Sequence, residues 1–282
     1  MASRAVKISR RSFLSGAGAL AVGAGLARAP VTAFASQALP PLPWPYPEEA
    51  LDPEQVRKSA YCLYYLEGGC GHGGGQAIID AIADMMPDPW ALLPRGLYKY
   101  GGGGAVGWGT ICGALNGILA VMDILNVHGK LGNALMDYYS TSLLPTDRLE
   151  DWVPDDPAVP IPLIGITATV ANSPLCHISV STWAAEAGVP VADASKKDRC
   201  AKLVGDIAAY AVELMNDLFI EGVEPPLWQA PEDYADCYSC HSSKTMIPSQ
   251  AGKMDCLECH DVSPQHGDES WRQKLSIGKG GN

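Results

Sequence analysis

Cys237-Tyr238-Ser239-Cys240-His241 and, nineteen residues on, Cys256-Leu257-Glu258-Cys259-His260 decide the architecture of this chain. Two thiols at C-x-x-C spacing can add to the two vinyl groups of one haem, and the residue behind them can present an imidazole to its iron. The competing reading is a zinc ribbon, because C-x2-C-x15-C-x2-C is also a four-thiolate spacing. The histidines separate the two. Only 6 of the 282 residues are His, so one directly behind each pair arises by chance on the order of once in two thousand trials. A four-thiolate zinc site has no use for them. Residues 237–282 therefore read as a dihaem c domain. It carries two haem c per chain, with covalent attachment at Cys237, Cys240, Cys256 and Cys259 and proximal axial ligands His241 and His260. This irregular tail has little apolar content of its own, so the packed core must lie upstream.

The opposite end of the chain bears on the compartment. Arg4 and Lys7 lead into Ser9-Arg10-Arg11-Ser12-Phe13-Leu14, an apolar stretch of small residues from Gly16 to Ala27, and Ala33-Phe34-Ala35. Residues 1–35 read as a twin-arginine signal peptide with an A-x-A cleavage site. A membrane anchor fits less well, since the apolar run is short and Gly-rich where a span needs about 20 apolar residues. The mature protein is expected in the periplasm, without a membrane span. The twin-arginine route carries chains that have already folded, often around a cofactor, whereas haem c is attached after export. Together these point to a second cofactor in the body.

About 247 residues remain without the leader, enough for one large domain with an appendage. The leader holds five Lys/Arg and no acid, so its removal takes the formal charge from −11 to −16. Such a surface argues against nucleic acid or anionic lipid and for a redox protein partner with a basic docking surface.

The body reads as mainly α, a single helical core domain over 52–220. Residues 36–51 are Pro-rich and expected to run extended over the surface. Asp52-Pro53 looks like an N-cap followed by Pro at the first helical position, opening a helix that ends at the Gly68-Gly69 break. Further helices are expected at 75–86, 106–127 and 128–144. Residues 145–175 read as irregular, with a short strand over 163–170. A last long helix capped by Asp193 or Ser195 presents Leu203, Ile207, Tyr210, Ala211 and Leu214 as a stripe. Residues 221–236 form an acidic, Pro-containing linker to the tail.

Five cysteines are not used by C-x-x-C-H: Cys62, Cys70, Cys112, Cys176 and Cys200. Five is odd, so complete pairing within one chain is excluded. Buried thiols serving as small apolar residues are one reading, and Cys112 and Cys200, placed within apolar helices, suit it. An iron–sulfur cluster is the other, because it needs thiolates converging from separate elements. Gly69-x-Gly71-x-x-Gly74 and Gly102-x-Gly104-x-x-Gly107 match a dinucleotide-binding pattern, but neither follows a plausible buried strand, and 30 glycines make such matches cheap.

Glu67-Gly68-Gly69-Cys70, Lys99-Tyr100-Gly101, the run Gly107–Gly117 (GWGTICGALNG), Ser173–Ser181 (SPLCHISVS) and Cys200 in Arg199-Cys200-Ala201-Lys202-Leu203, taken with the two C-x-x-C-H units, resemble the split-Soret cytochromes c. More broadly they resemble the C-GC-x-x-G-C-C class of redox proteins. The resemblance spans nearly the whole mature chain. It implies a homodimer with two stacked bis-histidine haems per subunit, some axial histidines crossing from the partner chain, and an iron–sulfur centre in the body. The cluster type is expected to be [2Fe-2S]. Cys70, Cys112, Cys176 and Cys200 are the candidate cluster ligands, with Cys62 the spare. His72 departs from the family pattern and receives no ligand role.

Two haems need two distal ligands, and His266 and His177 are the candidates. His266 lies six residues past His260 and would reach a neighbouring haem; His177 sits beside Cys176, where a hydrogen-bonded core histidine supporting the cluster is the other reading. His128 looks like a solvated helix end. Two axial imidazoles leave no open iron position, so electron transfer is favoured over catalysis. The functional reading is an exported dihaem electron carrier. An oxidoreductase with its chemistry at the Cys-rich centre is the alternative, and a zinc-stabilised structural protein a remote third.

Overall fold

A computed structural model of the chain describes residues 39–230 together with 232, 241, 253 and 254. The leader and the residues Cys237, Cys240, Cys256, Cys259, His260 and His266 lie outside the described residues. Asp52 opens the first helix as its sequence predicts: its carboxylate accepts from the backbone N–H of Glu54 and Gln55, and Pro53 occupies the first helical position. This helix, α1 (Pro53–Leu63), winds into a π turn over Tyr64–Gly68. Gly68 and Gly69, both at positive φ, turn the chain sharply so that Cys70 starts α2 (Cys70–Met85).

The helix expected at 75–86 thus begins five residues earlier. A run of glycines reads as a helix break, since each costs about 1 kcal/mol relative to alanine in a helix interior. Here the glycines are where other backbones cross α2. A Cβ on Gly71 would stand 2.5 Å from the Tyr98 carbonyl oxygen, one on Gly73 2.9 Å from that of Ala60, and one on Gly75 2.9 Å from that of Gly117. The lost propensity is offset by contacts that any side chain would forbid.

After a short turn, α3 (Pro87–Trp90), the chain crosses a glycine-rich loop and enters α4 (Gly113–Ile124). The helix expected at 106–127 therefore starts seven residues later. Residues 101–112 form the loop, in which Gly103, Gly104, Gly107 and Gly109 and even Ala105 and Val106 have positive φ. Next come α5 (His128–Thr141), α6 (Cys176–Glu186) and the long α7 (Ser195–Asn216). The sequence reading did not foresee α6. No strand forms over 163–170; Thr169 makes only an isolated bridge with Leu144, because the Pro-rich segment has no second strand to pair with. The mainly α class holds, and no described helix is long and apolar enough to cross a membrane.

The core is built on α7, almost wholly buried from Asp198 to Met215. It packs on α1 and α2, while α2 pairs most extensively with α4 and α4 with α5. In the predicted stripe of α7, Leu203, Ile207, Ala211 and Leu214 are buried, and Tyr210 stacks on Tyr138 at the rim. The Pro-rich segment is extended, but it is more than surface wrapping. Trp44 packs edge-on against Trp90, and the Tyr46 hydroxyl donates to Asn216 at 2.7 Å, which straps the segment across the end of α7.

Two buried basic side chains in this core are paired. Arg57 on α1 pairs with Asp206 on α7, and Lys202 pairs with Glu150 at 3.1 Å and lies 4.0 Å from Asp198.

Candidate metal centre

Four of the five body cysteines converge from four helices. Three of them stand at helix N-termini: Cys70 is the first residue of α2, Cys112 caps α4 and Cys176 is the first residue of α6. Cys200 lies inside α7, one turn from its start. Cys70, Cys112 and Cys200 are buried, and Cys176 is half-buried.

Two local devices bring them together. The first is the crossing of α2 with α4, where backbone meets backbone. A Cβ on Gly113 would sit 2.8 Å from the Gly71 nitrogen and 2.9 Å from Cys70 Cβ, and one on Gly117 would sit 2.1 Å from the Gly71 oxygen. The second is a short antiparallel contact between the loop end and the start of α6. The Cys112 N–H donates to the Pro174 carbonyl at 2.9 Å, Cys176 N–H to Thr110 at 2.7 Å and His177 N–H to Gly109 at 3.0 Å. Cys70 is thereby set beside Cys112, Cys112 beside Cys176, and α7 brings Cys200 to Cys70.

The thiols adjoin one another in a chain, Cys200 beside Cys70, Cys70 beside Cys112 and Cys112 beside Cys176. Cys112 is held well below the ordinary thiol range by the hydrogen bonds of Cys176 and Cys70, and the Ala114 N–H at the start of α4 adds to this. Cys200 is lowered to about 7, chiefly by Cys70, with the neighbouring Arg199 cation also favouring the thiolate. The hydrogen bonds to Cys112 and Cys200 push Cys70 up, and the bond to Cys112 likewise raises Cys176.

Around this chain stand polar groups with no partner. Arg199 is 1% exposed. Its Nη2 donates to the Ser179 hydroxyl at 2.8 Å, whereas its Nε is buried without a hydrogen bond, as is the Tyr139 hydroxyl. Both residues adjoin Cys112. Buried donors of this kind cost free energy unless something else accepts from them.

Among the described residues no three His, Cys, Asp or Glu side chains cluster so as to hold one metal ion as they stand. The donor set fits an iron–sulfur centre, which takes thiolates from separate elements, better than it fits a single ion. Soft thiolates, positive helix ends, a buried cation and orphaned donors all suit an anionic sulfide-bridged group.

Cys62 stands apart. It is half-buried on α1, faces Asp155 and Asp156, and is raised by burial. His177 is exposed beside Gly109, at the first turn of α6, so the reading of it as a core histidine is corrected. His72 is fully buried, with Nε2 2.9 Å from Glu67. His128 is exposed and paired with Asp123. His241 is partly exposed. Of the two dinucleotide-like runs, Gly69–Gly74 is mostly helix α2 and Gly102–Gly107 is loop, left-handed from Gly103 on, and neither follows a strand. What the sequence reading missed here was Arg199 and Tyr139. Arg199 directly precedes Cys200, and that adjacency was its available signal.

A helical body gathering thiols at helix ends defines a redox-active class, and comparison with known proteins agrees. Residues 75–214 match the family described as "Putative redox-active protein (C_GCAxxG_C_C)". The chain is 30% identical over 272 residues to the split-Soret cytochrome c of Desulfovibrio desulfuricans, covering 90% of this chain and 95% of the relative. It also matches a solved structure of the split-Soret cytochrome c from that organism, described as holding a novel iron centre. The TM-score is 0.65 and the identity 27%, over 80% of this chain and 94% of that one. The chain belongs to the split-Soret cytochrome c family and is a redox protein.

Proposed function

We propose that this protein is an exported dihaem c-type cytochrome that carries electrons between redox partners in the periplasm, with an iron–sulfur centre held by Cys70, Cys112, Cys176 and Cys200. The observation that carries the reading is the convergence of these four thiols on one buried, glycine-walled site. The relative named for its split Soret band and the solved structure named for its iron centre support it, as do the two C-x-x-C-H units.

A bound cluster would supply one-electron redox chemistry. The chain's own part is to hold four sulfur ligands in place, exclude water through the packing of α2, α4 and α7, and set Arg199 beside the negative charge. Electron transfer needs no bound substrate, and a bis-histidine iron offers no open position for one. The subunits are expected to form a homodimer through the haem end.

The haem claim is tested by mass. The denatured mature chain, weighed intact, should exceed the polypeptide from Ser36 by two haems and give a c-type pyridine haemochrome spectrum. A bare polypeptide mass with bound zinc would overturn it.

A further inference from the structure

The interior holds three buried cations, Arg57, Arg199 and Lys202, and their charges are answered differently. Arg57 pairs with Asp206 and Lys202 with Glu150. No carboxylate among the described residues pairs with Arg199. Its Nη2 donates to the Ser179 hydroxyl at 2.8 Å and approaches the Ser179 carbonyl at 3.4 Å, and both of these acceptors are neutral. A buried cation is costly unless an anion lies beside it. The groups beside Arg199 are Cys200, Tyr139 and Cys112, so the charge that answers it has to come from sulfur.

Tyr139 poses the same problem without a charge. Leu131, Leu135 and Tyr139 recur every four residues along α5, and none is more than 1% exposed. Phenylalanine would fill the last place of this stripe, whereas a buried hydroxyl is unfavourable there unless something accepts from it. The groups beside it are Cys112, Arg199 and Ser179. The Tyr139 hydroxyl and Arg199 Nε therefore come from different helices, α5 and α7, and share Cys112 as a neighbour. Neither finds a hydrogen-bond partner within the chain. The acceptor that both need comes with the group that the thiols hold.

We infer that the Tyr139 hydroxyl and Arg199 Nε donate hydrogen bonds to the sulfur of the iron–sulfur centre on its Cys112 side, and that Ser179 positions Arg199 for this by holding Nη2. The inference rests on the iron–sulfur reading above and deepens it. It makes α5, which supplies no cysteine, part of the site. Hydrogen bonds to sulfur favour the more negative, reduced state and so raise the reduction potential.

The test compares wild-type holoprotein, matured anaerobically, with Tyr139→Phe, Ser179→Ala, Arg199→Met and the double variant Ser179→Ala/Arg199→Met. Non-haem iron and sulfide are counted, and the potential is read by redox titration of the paramagnetic signal. Protons coupled to the centre are read by electron–nuclear double resonance on protein grown in ordinary water and in deuterium oxide. Tyr139→Phe should keep its iron and sulfide, lose one exchangeable proton coupling and titrate at a lower potential. Arg199→Met should lose a different exchangeable coupling, which keeps the donor assignment open to refutation even if Tyr139→Phe fails to assemble. Ser179→Ala should lower the potential in otherwise wild-type protein and add nothing to the shift of Arg199→Met, because its hydroxyl acts through the guanidinium. A further shift in the double variant would overturn the positioning role. Unchanged couplings and potential in Tyr139→Phe would mean that the hydroxyl serves a buried water, which overturns its assignment and leaves the iron–sulfur reading standing. Wild-type protein without non-haem iron would overturn both.

Discussion

Arg199 is the residue on which the electrostatics of the cysteine site turn. Its guanidinium is buried, bonded to Ser179 on one arm, and its Nε has no partner although Cys112 and Cys200 are its neighbours. A cation there favours the more negative, reduced state of any centre that the thiols hold. A unit charge about 5 Å away at an effective permittivity of about 20 contributes about 3 kcal/mol, on the order of 100 mV for a one-electron couple. Arg199→Met should lower the potential of the centre by that order, and Arg199→Lys by less, as followed by redox titration of its paramagnetic signal. An unchanged potential in Arg199→Met would remove the cation from the account. Sequence disclosed the four cysteines but not this cation, because an Arg in a helix reads as a solvated face until α6 closes over it.

At the scale of elements, the crossing of α2 and α4 holds the site together. Gly117 offers the sharpest test, since an added Cβ would fall 2.1 Å from the Gly71 carbonyl oxygen, a backbone atom that cannot swing aside. Gly117→Ala should cost about 1–3 kcal/mol or more in chemical denaturation, and non-haem iron should fall as Cys70 and Cys112 move apart. Gly129 on α5 has nothing within 4 Å, so Gly129→Ala should be neutral or stabilising by up to about 1 kcal/mol. Equal losses in the two variants would mean that the crossing has no special role.

The same crossing explains where sequence reading succeeded and failed. Asp52-Pro53 and the stripe of α7 were legible because capping and 3.6-residue periodicity are local signals. The start of α2 was not. Its glycines carry the signature of a break, and only the backbone of α4 beside them makes helix the better solution. The N-terminus of α4 was misplaced for a related reason. Apolar residues from Ala105 onward continue the helical pattern, but positive φ at Ala105 and Val106 and the bond from Cys112 N–H to Pro174 hold the loop open. Cys112 thereby becomes a cap and not an interior thiol, which gives it the polarised N–H groups of α4.

Over the whole molecule, several large apolar side chains remain uncovered, among them Trp108 at 82% exposure, Ile164 at 80% and Leu227 at 91%. The dimer expected from the family resemblance would cover part of this apolar surface, and a dihaem tail poor in apolar residues would need such cover for its macrocycles. Sedimentation velocity at micromolar concentration should give a dimer, and the dimer should persist at high salt if apolar contact holds it. A monodisperse monomer with both haems low-spin and six-coordinate would refute crossed ligation and dimerisation together. Dimerisation was expected from family resemblance; no periodicity or spacing within one chain can display it.

Cys70, Cys112, Cys176 and Cys200 are proposed to form an iron–sulfur site separate from the haems. It is tested most directly by measuring haem, non-haem iron and acid-labile sulfide on wild-type protein and on Cys70→Ser, both matured anaerobically. Wild-type protein should contain non-haem iron and sulfide beside two haems per chain. Cys70→Ser should lose the non-haem iron and sulfide and keep both haems, while Cys62→Ser should lose neither. Full non-haem iron in a variant lacking all five body cysteines, or none in wild-type protein that carries both haems, would contradict it.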